Sequence, residues 1–260
     1  MNDYQLHFFG DSFTAGDELL DYQHYDNYPT PYNYNELKKQ DYYTRNPRIW
    51  EKLTKQEYSQ HITEQKQKSY AGILGGTNHG ISGTSLQSIA RDIIFYLENT
   101  DKESIIFLQP TGIERWCEYI NGEWKDFVAN ATYEGDENKY FKFKVTHNTD
   151  YSSLVIWYNT FITLVSYIKN HKNTMNWYLI NNGTFNSLRL LIKSFVDKKY
   201  QIIKENNFDN TFLNTFYELK NKTINFPQID NTEAPYFCPG GHVNQQAHNQ
   251  LAEEITRRIK

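Results

Sequence analysis

The sequence has almost no cysteine: of its 260 residues only Cys117 and Cys238 carry thiols. Two cysteines cannot make a disulfide framework, and free thiols are the plainer reading. Stability must then come from a buried core, which a chain of this length can form without staples or metals. Proline, at 7, and glycine, at 13, are too few for a collagen-like or low-complexity chain. No apolar run approaches the ~20 residues of a membrane span. The first residues, MNDYQLHFFG, lack the basic start and apolar stretch of a signal peptide. The expectation is a soluble protein with no cleaved secretion signal and no membrane partner. An excess of positive charge is missing too: 27 Lys and Arg stand against 31 Asp and Glu, a formal net charge of -4. That argues against a nucleic-acid partner. There is no Walker-type loop with lysine and no His-Glu-x-x-His. Gly72 to Gly76 is glycine-rich but follows a helical pattern, where a dinucleotide fingerprint follows a strand. The eight histidines are scattered without metal-site spacing. No cofactor and no metal are expected.

Aromatic residues are abundant instead. Tyr is 21, Phe 16 and Trp 5, with tyrosines gathered between Tyr22 and Tyr58. Buried phenols need polar partners, so many of these belong at a surface. Such a surface suits stacking on sugars; compositional drift in an Asn-, Lys- and Tyr-rich proteome is the plainer account.

Tyr4 to Phe9 reads as a short buried strand ending at Gly10, with a turn into a helix behind it. The stretch from Asp21 to about Thr54 is polar and weakly periodic, longer than a plain connection requires. Glu64 to Leu74 predicts a helix closed by Gly75-Gly76. Thr84 or Ser85 caps a helix to about Leu97 carrying an apolar stripe. Ser104 to Leu108 is apolar almost throughout, as in a central parallel strand. Residues 118–149 form an accessory excursion. Asn121-Gly122 marks a hairpin turn there, and the alternation of Tyr140, Phe141, Phe143 and Val145 predicts a strand. A helix follows from Tyr151 to about Ile168, then a strand from Met175 to Ile180. Further helical pieces are expected at Phe185 to Phe195 and Phe208 to Leu219. A last helix runs from Asn244, its N-cap, to Ile259. Strands alternating with helices predict a mainly parallel sheet covered on both faces, a single domain over 1–260 with a tyrosine-rich insertion near 21–58. Sites in such folds lie beyond the carboxyl ends of the strands.

Three blocks of residues fall at such places. Gly10-Asp11-Ser12-Phe13 puts a hydroxyl at a helix start, beside unpaired backbone N–H groups that suit a developing oxyanion. Asn78-His79-Gly80-Ile81-Ser82-Gly83 forms a tight small-residue loop. Gly241-His242-Val243-Asn244 precedes the last helix. In this order and spread the blocks resemble the SGNH hydrolases, the GDSL-like lipase and esterase superfamily. Gly10 to Leu19, with Gly16, Glu18 and Leu19, is similar to divergent phage-encoded members. The resemblance implies a three-layer α/β/α, flavodoxin-like sandwich. It also implies Ser12 as nucleophile, His242 as its base and the Gly80 N–H as part of the oxyanion hole.

Two positions depart from the family pattern. The block after the central strand lacks its Asn and reads Gln109-Pro110-Thr111-Gly112. Thr111 stands at the Asn position and Gln109 lies close by, so both are candidate donors. Arg115 follows within reach of an anionic or carbonyl group. Pro239 occupies the place of the usual Asp, which leaves His242 to a backbone carbonyl near Cys238 or Pro239, or to Asp230 or Glu233. His248 is expected to pack on the last helix, and His79 to face solvent or touch substrate.

The resemblance thus implies a serine esterase acting on acetyl-type esters of a small molecule or a polysaccharide, located in a host-cell cytoplasm or a phage virion. The rival is a non-catalytic virion or glycan-binding protein on the same scaffold, with contacts to other virion subunits or to its own copies.

Overall fold

The computed structural model describes residues 4–17, 19–20, 52–129, 133–147, 150–184, 188, 218–227 and 242–259. Five strands form one sheet: β1 (Gln5–Phe9), β2 (Thr77–Asn78), β3 (Ser104–Leu108), β6 (Thr174–Asn181) and β7 (Thr223–Asn225). Their spatial order is β2-β1-β3-β6-β7, and every neighbouring pair is parallel. Counted within this sheet alone, the order is 2-1-3-4-5, the flavodoxin-like arrangement.

The two faces of the sheet are sealed by different helices. His7, Phe9, Ile106 and Leu108 share one face by register. There Phe9, Ile106 and Leu108 pack with α4 (Leu86–Glu98) and α6 (Asp150–Asn170), through Ile89, Ile93, Trp157 and Phe161. Phe8, Ile105 and Phe107 face the other way, onto α3 (Tyr70–Ile73) and α7 (Gln245–Ile259). Because β3 is covered on both sides, all five of its residues are buried; this is why its sequence is a continuous apolar run rather than an alternation. Each large side chain sealed this way contributes about 1.5–3 kcal/mol relative to exposure.

Helix starts follow their caps. The Ser85 hydroxyl accepts from the Ser88 N–H to open α4, and the Asn244 side chain accepts from Ala247 N–H to open α7. The helix expected at Glu64–Leu74 is longer and broken. Thr54 and Glu57 make a reciprocal capping box that starts α2 at Lys55, and α2 runs to Lys68. Ser69 then restarts the chain as the N-cap of α3.

The excursion after β3 is a hairpin of β4 (Arg115–Ile120) and β5 (Glu123–Val128), antiparallel, followed by α5 (Gly135–His147). Asn121 and Gly122 both take positive φ, 52° and 88°, as a two-residue type I′ turn requires. The strand expected around Tyr140–Val145 is instead part of α5. Its alternating apolar residues are not a buried face: Tyr140, Phe143 and Val145 are exposed, while Phe141 stacks on Trp116 and packs at a tilt against Tyr133. The hairpin is fastened to the start of α4 by Asp126, whose Oδ1 accepts from the Ser85 hydroxyl (2.5 Å), the Ser88 hydroxyl (2.6 Å) and the Ser85 N–H (3.0 Å). Among the described residues, no helix is long and apolar enough to cross a membrane. The helical pieces expected at Phe185–Phe195 and Phe208–Leu219 lie almost entirely outside the described residues, as do positions 21–51 of the tyrosine-rich stretch.

Candidate active site

The site is built around α1 (Ser12–Ala15), a single turn that starts two residues beyond β1. Asp11 is its N-cap: Oδ1 accepts from Phe13 N–H at 3.1 Å. The turn closes at Gly16, which takes φ 80° and donates its N–H to Ser12 O. Ser12 is 2% exposed, and its Oγ is buried without a hydrogen-bond partner. A sheltered hydroxyl with no structural employment stands out, since buried polar groups are nearly always paired.

Asp11 is held from three sides. Besides capping the turn, it accepts from Gln109 Nε2 at 2.6 Å and pairs with Arg115 Nη1 at 3.3 Å. Gln109 also accepts through Oε1 from the Thr14 hydroxyl, at 2.6 Å. With its one proton given to Gln109, Thr14 can only accept from Tyr70 OH, 2.8 Å away. Tyr70 N–H in turn donates to His248 Nδ1 at 3.0 Å. The donations from Tyr70 OH through Thr14 and Gln109 all point toward the Asp11 carboxylate. That direction also fixes which end of the Gln109 amide is the NH2.

This network redefines Gln109. Its Oε1 accepts from Thr14 and its Nε2 donates one hydrogen to Asp11, so it serves as a brace between β3 and α1. Thr111, expected as the alternative donor, is fully buried with an unpartnered Oγ1. Its backbone carbonyl accepts from Trp157 Nε1 at 2.6 Å, which pins the segment to α6.

The second loop lies directly against α1. A Cβ on Gly80 would sit 2.4 Å from Ala15 N and 2.7 Å from Thr14 C, and a Cβ on Gly10 would sit 2.2 Å from Thr14 Oγ1. Only glycine permits either approach. The Gly80 N–H, expected to face an oxyanion, donates to Asn78 Oδ1 at 2.8 Å. Asn78 Nδ2 meanwhile donates to Thr14 O (2.7 Å) and Ser69 Oγ (2.8 Å), tying the loop to α1 and α3. Asn78 and Asp11 are positioning residues that sequence reading left without a role. The Asn-x-Gly spacing of an Asx turn was the available signal for Asn78.

The last block reaches the same place. The His242 ring lies 5.3 Å, centroid to centroid, from Phe13, and His242 is also near His248 in charge terms. His248 itself is fully buried and stacked on Tyr70 at 5.6 Å. Burial first, and His242 second, push its pKa down to about 3. It is therefore a neutral imidazole, and the N–H donated to Nδ1 places its proton on Nε2. The candidates for orienting His242, namely Cys238, Pro239, Asp230 and Glu233, lie outside the described residues.

His79 points away from this cluster. It stacks on Phe9 at 4.2 Å and meets His7, with Nε2 and Nδ1 3.0 Å apart, on the α4 face of the sheet. Tyr96 OH closes that group at 2.7 Å from His7 Nε2. Burial lowers both histidines to about 4, helped by His79 on His7 and by Lys66 on His79. Among the described residues, no group of three or more His, Cys, Asp or Glu gathers as a metal site would.

Ser12, Gly80, Gln109 and His242 thus come from four separate stretches to α1 and the adjoining ends of β1 and β3, with Thr111 two residues beyond Gln109. No family model and no curated protein matches the sequence. Among solved structures, a crystal structure of a member of the lipolytic protein G-D-S-L family from Veillonella parvula DSM 2008 aligns over 98% of this chain and 97% of that one, with 13% identity and a TM-score of 0.42.

Proposed function

We propose that the protein is a serine ester hydrolase with Ser12 as nucleophile and His242 as general base. The observation that carries this reading is the sheltered Ser12 hydroxyl, unpartnered at the first turn of α1, with His242 brought to its neighbour Phe13. Ser12 Oγ attacks the acyl carbonyl and its proton passes to His242. The carbonyl electrons collect on oxygen as the tetrahedral intermediate forms. His242 then gives the proton to the departing alcohol, leaving an acyl-enzyme that water releases by the same steps. The oxyanion is held by the Ser12 N–H and the Thr111 hydroxyl, whose Oγ1 has no competing partner. Gly80 contributes closeness of packing in this state, since Asn78 holds its N–H.

The substrate proposed is an acetyl-type ester on a carbohydrate. Support comes from the SGNH resemblance, from the phage-like pattern at Gly10 to Leu19, and from the aromatic content. The second reading, a glycan-binding or virion protein without turnover, is favoured by two features. The Gly80 N–H and one Gln109 Nε2 hydrogen are both occupied, and Pro239 replaces an acidic residue. Hydrolysis of p-nitrophenyl acetate and labelling by a fluorophosphonate discriminate the two. Turnover by the wild type, with loss of both turnover and label in Ser12→Ala, is the expected result. Equal rates in wild type and Ser12→Ala would remove the enzymatic reading.

A further inference from the structure

A full negative charge sits beside Ser12. Asp11 is its neighbour in the chain, with Cα atoms about 3.8 Å apart, and the carboxylate side chain is 4% exposed. A charge of that sign opposes any reaction in which Ser12 attacks a carbonyl, because the intermediate is itself an oxyanion. α1 is a single turn, too short for a helix dipole to set the field, so the nearest full charges decide it.

The groups that hold the carboxylate do different things. Phe13 N–H and Gln109 Nε2 donate to Oδ1 at 3.1 and 2.6 Å. Both are neutral, so they fill lone pairs and leave the net charge in place. Arg115 brings the opposite charge, with Nη1 3.3 Å from Oδ2. That contact lacks hydrogen-bond alignment: Nη1 and Nε are buried and make no hydrogen bond. What Arg115 gives Asp11 is therefore charge, at short range and largely out of water, where it acts most strongly. Among the described residues it is the one cation paired with Asp11. Glu114 is the other acid near the guanidinium, 4.0 Å from Nε, but its side chain is 53% exposed and screened by solvent.

Arg115 is also fixed where it stands. It opens β4 opposite Val128. The Ala129 N–H closes the base of the hairpin on Glu114 O at 3.0 Å, and Asp126 fastens the same hairpin to α4. The accessory excursion thus reaches the site through one guanidinium.

We propose that Arg115 is a positioning residue that acts through Asp11: it cancels the carboxylate's charge so that negative charge can develop at Ser12. Its meaning for catalysis rests on the ester-hydrolase reading; its effect on the field at position 12 does not.

A thiol placed at position 12 reads that field directly. Ser12→Cys is titrated by ultraviolet thiolate absorbance against the matched protein that keeps Ser12, so that Cys117 and Cys238 cancel. Adding Arg115→Gln should raise the midpoint of the new thiol by about one pH unit or more. Arg115→Lys should keep it near its starting value. Adding Asp11→Asn to Arg115→Gln should bring it back. Asp11→Asn alone, whose side-chain oxygen can still cap Phe13, should lower it, which keeps the test open if Arg115→Gln does not fold. In the protein with Ser12, Arg115→Gln should lower kcat for p-nitrophenyl acetate roughly tenfold or more at little cost in KM, and the double variant should regain much of it. A residue that only fastened the hairpin would make the double variant no better than the single one. The proposal is overturned if the midpoint stays put in Arg115→Gln with fold retained by circular dichroism, or stays raised once Asp11→Asn is added. It is also overturned if Asp11→Asn alone fails to lower the midpoint, or if Ser12-dependent turnover is present and Arg115→Gln leaves kcat unchanged. Midpoints that move as expected without Ser12-dependent turnover would leave the charge pairing standing and remove the hydrolase reading alone.

Discussion

Acidification from pH 7 to pH 5 should destabilise the native protein by about 2 kcal/mol through His248 alone. The ring is fully buried, and burial with His242 nearby lowers its pKa from 6.5 to about 3. Above 6.5 neither the folded nor the unfolded chain holds the extra proton, so stability is at its full value. Below 6.5 the unfolded chain binds it and the native ring does not, down to about 3. Within that window stability falls by up to about 1.4 kcal/mol per pH unit, which integrates to about 2 kcal/mol between pH 7 and 5. His7 and His79 shift in the same direction, so the total loss is larger and a variant must isolate the one group. In His248→Asn the side-chain oxygen can still accept the Tyr70 N–H, while the titrating ring is gone. Urea unfolding at half-unit steps from pH 8 to 5 should show the variant weaker at pH 8, from lost stacking on Tyr70, yet flatter with pH. The gap between the two curves should narrow by about 2 kcal/mol on the way to pH 5. Parallel curves would refute the reasoning, because they would mean that the native state takes up a proton at His248 as readily as the unfolded chain does.

Thr111→Val should lower ester turnover roughly 10²–10³-fold with an unfolding midpoint unchanged or slightly raised, because the hydroxyl it removes has no partner; unaltered kinetics would place the side-chain donor elsewhere. Gly80→Ala drives a methyl group into the backbone of α1, so calorimetry should show a loss of about 1–3 kcal/mol together with reduced turnover. A variant as stable and active as wild type would contradict the close packing. Asp126→Ala strips the acceptor from two serine hydroxyls and one N–H. A loss on the order of 3 kcal/mol is expected in thermal unfolding, with Asp126→Asn recovering part of it; equal losses in the two variants would show that the charge and its bonds are not what holds the hairpin.

Legibility from sequence followed how local each feature is. β3 could be read because a strand buried on both faces needs continuous apolar residues, and Ile105 to Leu108 supply them. The hairpin turn was visible because two consecutive positive φ values leave few choices beyond Asn-Gly. α5 was misread because Tyr140, Phe143 and Val145 alternate like strand residues, yet they remain in solvent, so no buried face enforces the period of two. β7, three residues long, carries too little pattern to detect. The site was legible as a set of blocks but not as a network. Nothing in a string tells that Gln109 spends both ends of its amide on Asp11 and Thr14, since those bonds join positions 98 and 95 apart.

The line of hydrogen bonds from α7 to α1 has a consequence for how the protein matures. Tyr70 and His248 are 178 positions apart in the chain, and the bonds that follow reach back to Asp11. A nascent chain that has not yet released its last helix therefore lacks the prop beneath Tyr70. Long-range closures of this kind come late in folding, after the intervening loop entropy has been overcome. The cluster around Ser12 is then assembled last: a partly made or C-terminally clipped chain carries Ser12 without the frame that surrounds it in the native fold. The surroundings of Ser12 thereby report completion of the topology more sensitively than does helix content.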